Sequence, residues 1–119
     1  MTTTKNFVVI RTSNGLYHYG YKNTTDGTEA SCPIISSSTA DTGNTIGTAL
    51  EGLTITDFYC QSATPSDLDR VCIYNQNGGV VWDSIGAITV AVGQSPQLEV
   101  HGLAIRIYKG YDLKLTTSD

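Results

Sequence analysis

Charge is scarce in this chain, and basic charge most of all: Asp, Glu, Lys and Arg make up 15% of the residues, with seven Lys and Arg against eleven Asp and Glu. A formal net charge of -4, with the seven cations scattered, excludes the clustered basic surface on which nucleic-acid affinity rests. No apolar run approaches the ~20 residues that cross a bilayer. Met1 is followed by Thr2, Thr3, Thr4 and Lys5, not by the basic and then apolar segments of a signal peptide. The expectation is a soluble protein without a secretion signal, with no nucleic-acid or membrane partner. Cysteine is limited to Cys32, Cys60 and Cys72, an odd count that excludes a complete internal disulfide framework. No Cys-x-x-Cys pair occurs and His18 and His101 lie far from the thiols, so zinc-site spacing is missing and the thiols read as small apolar residues in a cytosolic setting. A Cys60 to Cys72 disulfide stays open, because the two fall on successive strands joined by a Pro-containing turn. A phosphate loop of the Gly-x-x-x-x-Gly-Lys type and a calcium loop of the Asp-x-Asp-x-Asp-Gly order are both missing, which leaves Asp67 and Asp69 as an isolated carboxylate pair. No cofactor or metal is expected.

What is present is enough for one domain over residues 1–119. A 12.7 kDa chain folds to an accessible surface of roughly 6,200 Å² against roughly 18,400 Å² unfolded. No window carries apolar residues at helical spacing for three turns. Instead, turn clusters separate short alternating runs: 7–11 (FVVIR), 16–22 (LYHYGYK), 53–60 (LTITDFYC), 70–75 (RVCIYN), 79–83 (GVVWD), 87–92, 97–101, 103–108 (LAIRIY) and 112–117 (DLKLTT). Ser13-Asn14-Gly15 marks a hairpin, and Asn77-Gly78 carries the signature of a two-residue type I′ turn. Eight or nine such strands fill two packed sheets. The fold class read from them is all-β, a single-domain antiparallel β-sandwich of jelly-roll-like form, with an immunoglobulin-like sandwich as the alternative. Residues 1–52 read as a less regular N-terminal part, and the stretch 23–52, with its Ser36-Ser37-Ser38 run, as an arm or long loop.

Chemistry-bearing residues are few. Glu99 and His101 share one strand face, and a thiol such as Cys60 or Cys72 is the nucleophile a triad would need, but the simpler reading points Leu98 and Val100 inward and leaves Glu99 and His101 outside. His18, among tyrosines, reads as a packed or interfacial ring. Aromatic placement is the more telling feature. Tyr17, Tyr19 and Tyr21 fall on one face of a strand, either covering the core or forming an exposed patch that needs a partner. Trp82 reads as core or as a stacking platform for a sugar. Tyr17, Tyr19, Tyr21 and Trp82 are therefore the candidate partner-binding residues, and no catalytic residue is assigned.

From LTITDFYC through RVCIYNQNGGVVWD and AITVAV to GLAIRIYKGYDLKLTTS, over residues 53–118, the chain resembles the small β-sandwich accessory proteins of tailed-bacteriophage virions, including head decoration (cement) proteins. The resemblance implies a non-enzymatic virion protein, made in the host cytoplasm and seated on the capsid surface. Its implied partners are the major capsid protein and further copies of itself, a homotrimer being what the resemblance implies. The alternative is a carbohydrate-binding module for host attachment, with Trp82 and the tyrosines stacking on a glycan and Asp67, Asp69, Asn75 and Asn77 binding its hydroxyls.

Overall fold

The structure, a computed structural model, describes residues 3–25, 27–35, 43–62, 67–84, 88–89 and 97–118. They form a β-sandwich of two antiparallel sheets. The larger sheet contains β1 (Thr3–Thr12), β2 (Tyr17–Thr25), β4 (Ile34–Ile35), β5 (Gly43–Asn44), β6 (Thr54–Ser62), β9 (Ile88–Thr89), β10 (Gln97–Val100) and β11 (Ile105–Arg106). Its order is β5-β4-β2-β1-β6-β10-β9, and β11 takes the stretch of β6 that β10 leaves unpaired. The smaller sheet holds β3 (Ala30–Ser31), β7 (Asp67–Tyr74), β8 (Val80–Asp83) and β12 (Asp112–Ser118) in the order β3-β12-β7-β8.

Side-chain alternation decides what lies between the layers. Val8 and Ile10 of β1, Phe58 and Cys60 of β6, and Leu98 of β10 meet Val71 and Ile73 of β7 and Leu113 and Leu115 of β12 in one buried cluster. A short helix, α1 (Ile46–Ala49), closes one end by placing Ile46 and Leu50, four residues apart, in the same core. Gly47 is required there: a Cβ on it would stand 2.5 Å from the backbone nitrogen of Tyr111. The opposite end is closed by polar groups. Ser62 Oγ donates to Asn6 Oδ1, Asn6 Nδ2 donates to Thr24 Oγ1 at 2.9 Å, and Thr24 Oγ1 lies 2.8 Å from Thr117 Oγ1, so a buried hydrogen-bonded chain ties three strands of the large sheet to β12. Because each of these side chains is buried, losing one link leaves an unsatisfied polar group as well as a missing bond.

Three expectations change. The hairpin read around Ser13-Asn14-Gly15 is there as β1 and β2, while the arm-or-loop reading of 23–52 changes in its described part: β2 runs on to Thr25, β3 pairs with β12 and β4 with β2, and Ile46 of α1 lies in the core. The Asn77-Gly78 turn is a three-residue loop, not a two-residue type I′ turn: Asn75 N donates to Gly79 O, Gly78 N donates to Asn75 O, and Gly78 has φ +81°. The same construction, with Gly15 at φ +84°, joins β1 to β2. Finally, Cys60 and Cys72 cannot pair, because Cys60 faces the core from the large sheet while Cys72 points to the outer side of the small one; all three cysteines are free. The Pro65 turn, the Ser36-Ser37-Ser38 run and most of the 87–92 strand lie outside the described residues.

Candidate functional site

Pairing registers turn the outer face of the large sheet into three cross-strand rungs. The first is Tyr21, Phe7, Gln61 and Gln97; the second is Ile35, Tyr19, Val9, Tyr59 and Glu99; the third is Tyr17, Arg11 and Asp57, with His101 just past the end of β10. The β4-β2-β1 half is aromatic and aliphatic, and the β6-β10 half is polar. Phe7 is 51% exposed, Tyr17 58% and Tyr19 54%, which decides between the two readings of the tyrosine row: it faces solvent. Phe7 and Tyr21 pack ring to ring at 5.2 Å. Lys5, Phe7, Val9, Tyr19, Tyr21 and Ile35 line a shallow cavity of about 380 Å³.

On the polar half, Val9, Arg11, Tyr17, Asp57, Tyr59, Glu99 and His101 line a second cavity of about 200 Å³. His101 Nδ1 lies 2.9 Å from Asp57 Oδ1 and its Nε2 lies 3.0 Å from Glu99 Oε1. Carboxylates on both ring nitrogens are matched only by an imidazolium, which donates from both. These contacts, Asp57 first and Glu99 second, raise the His101 pKa above its ordinary value, while the bonds from His101 and then Thr56 lower that of Asp57. An imidazole held in this way has no lone pair for a general base. Nor is a thiol at hand, since Cys60 is in the core and Cys72 lies on the other sheet. Tyr59 Oη donates to Gln61 Oε1 at 2.8 Å, and the Arg11 guanidinium sits 5.8 Å from the Tyr17 ring centre. The polar groups are therefore held in place without being covered.

The outer face of the small sheet is different in kind. Arg70 grips Asp83 through Nε and Nη2, the latter at 2.6 Å. Tyr74 Oη donates to Glu29 at 2.8 Å, Lys114 lies over the Tyr74 ring, and Ser31 Oγ donates to Asp112 at 2.6 Å. These side chains engage neighbours on the same face. Trp82 belongs to neither outer face: it is half-buried and tilted against Phe58, with ring centres 5.8 Å apart, so the structure separates it from the three tyrosines. As a sugar platform it is unsuited. Asn75 Oδ1 accepts from the backbone nitrogens of Asn77 and Gly79 and serves the turn, Asp69 is exposed on the small sheet, and the Asp67 side chain lies outside the described residues. His18 is half-buried, 3.0 Å from Thr12 Oγ1, and burial lowers its pKa.

Phe7, Arg11, Asp57 and Tyr59 were not singled out from the sequence. Alternation in FVVIR and TDFYC does put them opposite Val8, Ile10, Phe58 and Cys60, but apolar residues on both sides of each strand conceal which face is the inner one. Among the described residues no cluster of three His, Cys, Asp or Glu side chains has the arrangement of a metal site. No known protein family, curated protein or solved structure matches the chain.

Proposed function

We propose that this protein is a non-enzymatic structural component of a phage virion that decorates the capsid and stabilises the shell of major capsid protein. The observation that carries the reading is the exposed aromatic half of the large sheet, where Phe7, Tyr19, Tyr21 and Ile35 form one apolar surface with Lys5 at its margin. Rigid aromatic rings supply contact area at low entropic cost and are the usual anchors of protein interfaces. The virion setting comes from the resemblance of residues 53–118, and the trimer expected from it is part of the reading. Binding only to the assembled shell stabilises that state by mass action.

The test adds purified protein to phage-type shells lacking a decoration protein and measures co-sedimentation and shell melting. Saturable binding at a fixed ratio to capsid subunits, with a raised melting temperature and a loss of both in Phe7→Ser/Tyr19→Ser, is expected. Absence of association with any shell overturns the proposal.

A further inference from the structure

A polar cavity lies beside the aromatic surface on which the docking proposal rests. We propose that it is a binding site for a single pyranose ring, a neutral saccharide unit held between Tyr17 and Tyr59 and hydrogen-bonded by Arg11, Asp57 and Glu99, with His101 holding the two carboxylates in place. The cavity, about 200 Å³, is bounded by those residues and Val9, and Val9 is all it shares with the larger aromatic cavity.

Charge balance selects the ligand class. Arg11 and the imidazolium of His101 face the carboxylates of Asp57 and Glu99, so a ligand of either sign gains attraction from one pair and meets repulsion from the other. A neutral ring with hydroxyls around its edge suffers neither conflict. Each hydroxyl both donates and accepts, matching the carboxylate acceptors and the guanidinium donor on the same wall. Its C–H face suits the tyrosine rings, which combine flat apolar area with a polar tip.

Preorganisation supports the same conclusion. Asp57 Oδ2 is fixed by Thr56 Oγ1 at 2.8 Å, His101 is held from both sides, and the Tyr59 hydroxyl is tied to Gln61. Little side-chain freedom remains to be lost on binding. The site is nonetheless open, since His101 and Glu99 are exposed. Trp82, half-buried against Phe58, takes no part.

The experiment titrates the intact protein with the methyl glycosides of glucose, galactose, mannose and N-acetylglucosamine, and separately with guanidinium, acetate and glycine. It follows the NMR signals of the His101 imidazole and the Tyr17 and Tyr59 rings. At least one glycoside is expected to give saturable shifts at all three residues with millimolar affinity, as suits a ligand of about a dozen heavy atoms. Tyr17→Ala and Glu99→Gln each weaken that binding about tenfold, the scale of one lost contact, while the dispersed NMR spectrum of the folded protein is kept. Phe7→Ser/Tyr19→Ser leaves it intact, so failure here and failure of shell docking are read from different variants. Silence to all four glycosides overturns the inference, as does saturable binding of a charged probe or glycine in their place.

Discussion

The two faces of β1 make opposite demands on side-chain size, and substitution at Ile10 and Phe7 measures them against each other. Ile10 is fully buried between the sheets, whereas Phe7, the larger side chain on the same strand, is 51% exposed on the outer face. Replacing Ile10 with Ala removes buried methylenes and leaves a cavity that the β1-β6 pairing cannot close, at a cost of about 2–5 kcal/mol. Replacing Phe7 with Ala forfeits mainly the cross-strand contact with Tyr21, 5.2 Å away, worth roughly 0.2–1 kcal/mol. At roughly 4 °C per kcal/mol for a domain of this size, Ile10→Ala lowers the melting temperature by about 8–20 °C and Phe7→Ala by about 4 °C or less. Thermal unfolding followed by circular dichroism reads both. Equal losses would refute the assignment of inner and outer faces, because they would mean that the Phe7 ring is covered in the isolated protein.

The His101 cluster sets a pH window. The folded pKa of His101 is raised above 6.5, so its stabilisation is complete below that pH and is lost as pH climbs through the folded value; that of Asp57 is lowered below 3.8, so its contribution is complete above that pH and is lost as pH falls through the folded value. The stability difference between wild type and His101→Gln is therefore largest between about pH 4 and 6.5, and His18 titrates in both proteins and cancels; denaturant midpoints across pH check this, and a flat difference contradicts it. Thiol reactivity offers a second check. Cys32, Cys60 and Cys72 are all buried, burial raises each pKa, and Cys32 reaches about 12, so a disulfide-exchange reagent should label none in the native protein and three after denaturation; fast native labelling of any thiol contradicts the placement. At Gly47 the expected sign opposes helix propensity. Alanine there should cost roughly 1–3 kcal/mol, not gain the fraction usual in a helix, since the new Cβ meets the Tyr111 backbone at 2.5 Å; a stabilised Gly47→Ala protein refutes that packing.

Strand positions were legible in the sequence where one side of a strand is wet. Leu113 and Leu115 alternate with Asp112 and Lys114, and the structure buries the leucines. Phe7, Val8, Val9 and Ile10 were harder to orient, because β1 carries apolar side chains on both faces and only its pairing with β6 and β2 shows which are covered. The tyrosine row was legible as a row, its exposure was not. Asp57 escaped notice for the same reason: its link to His101 spans 44 residues and exists only once β10 pairs with β6. Trp82 was visible as a dual reading, and its partner Phe58, from the opposite sheet, resolved it toward the core. The helix α1 left no periodic signal, being a single turn too short to register as one.

The contact surface itself is tested most directly by hydroxyl-radical footprinting of the protein alone and bound to shells. Phe7, Tyr19 and Tyr21 should lose reactivity on binding while Tyr74, on the outer face of the small sheet, keeps it. Protection of Tyr74 with Phe7, Tyr19 and Tyr21 still reactive would contradict the account.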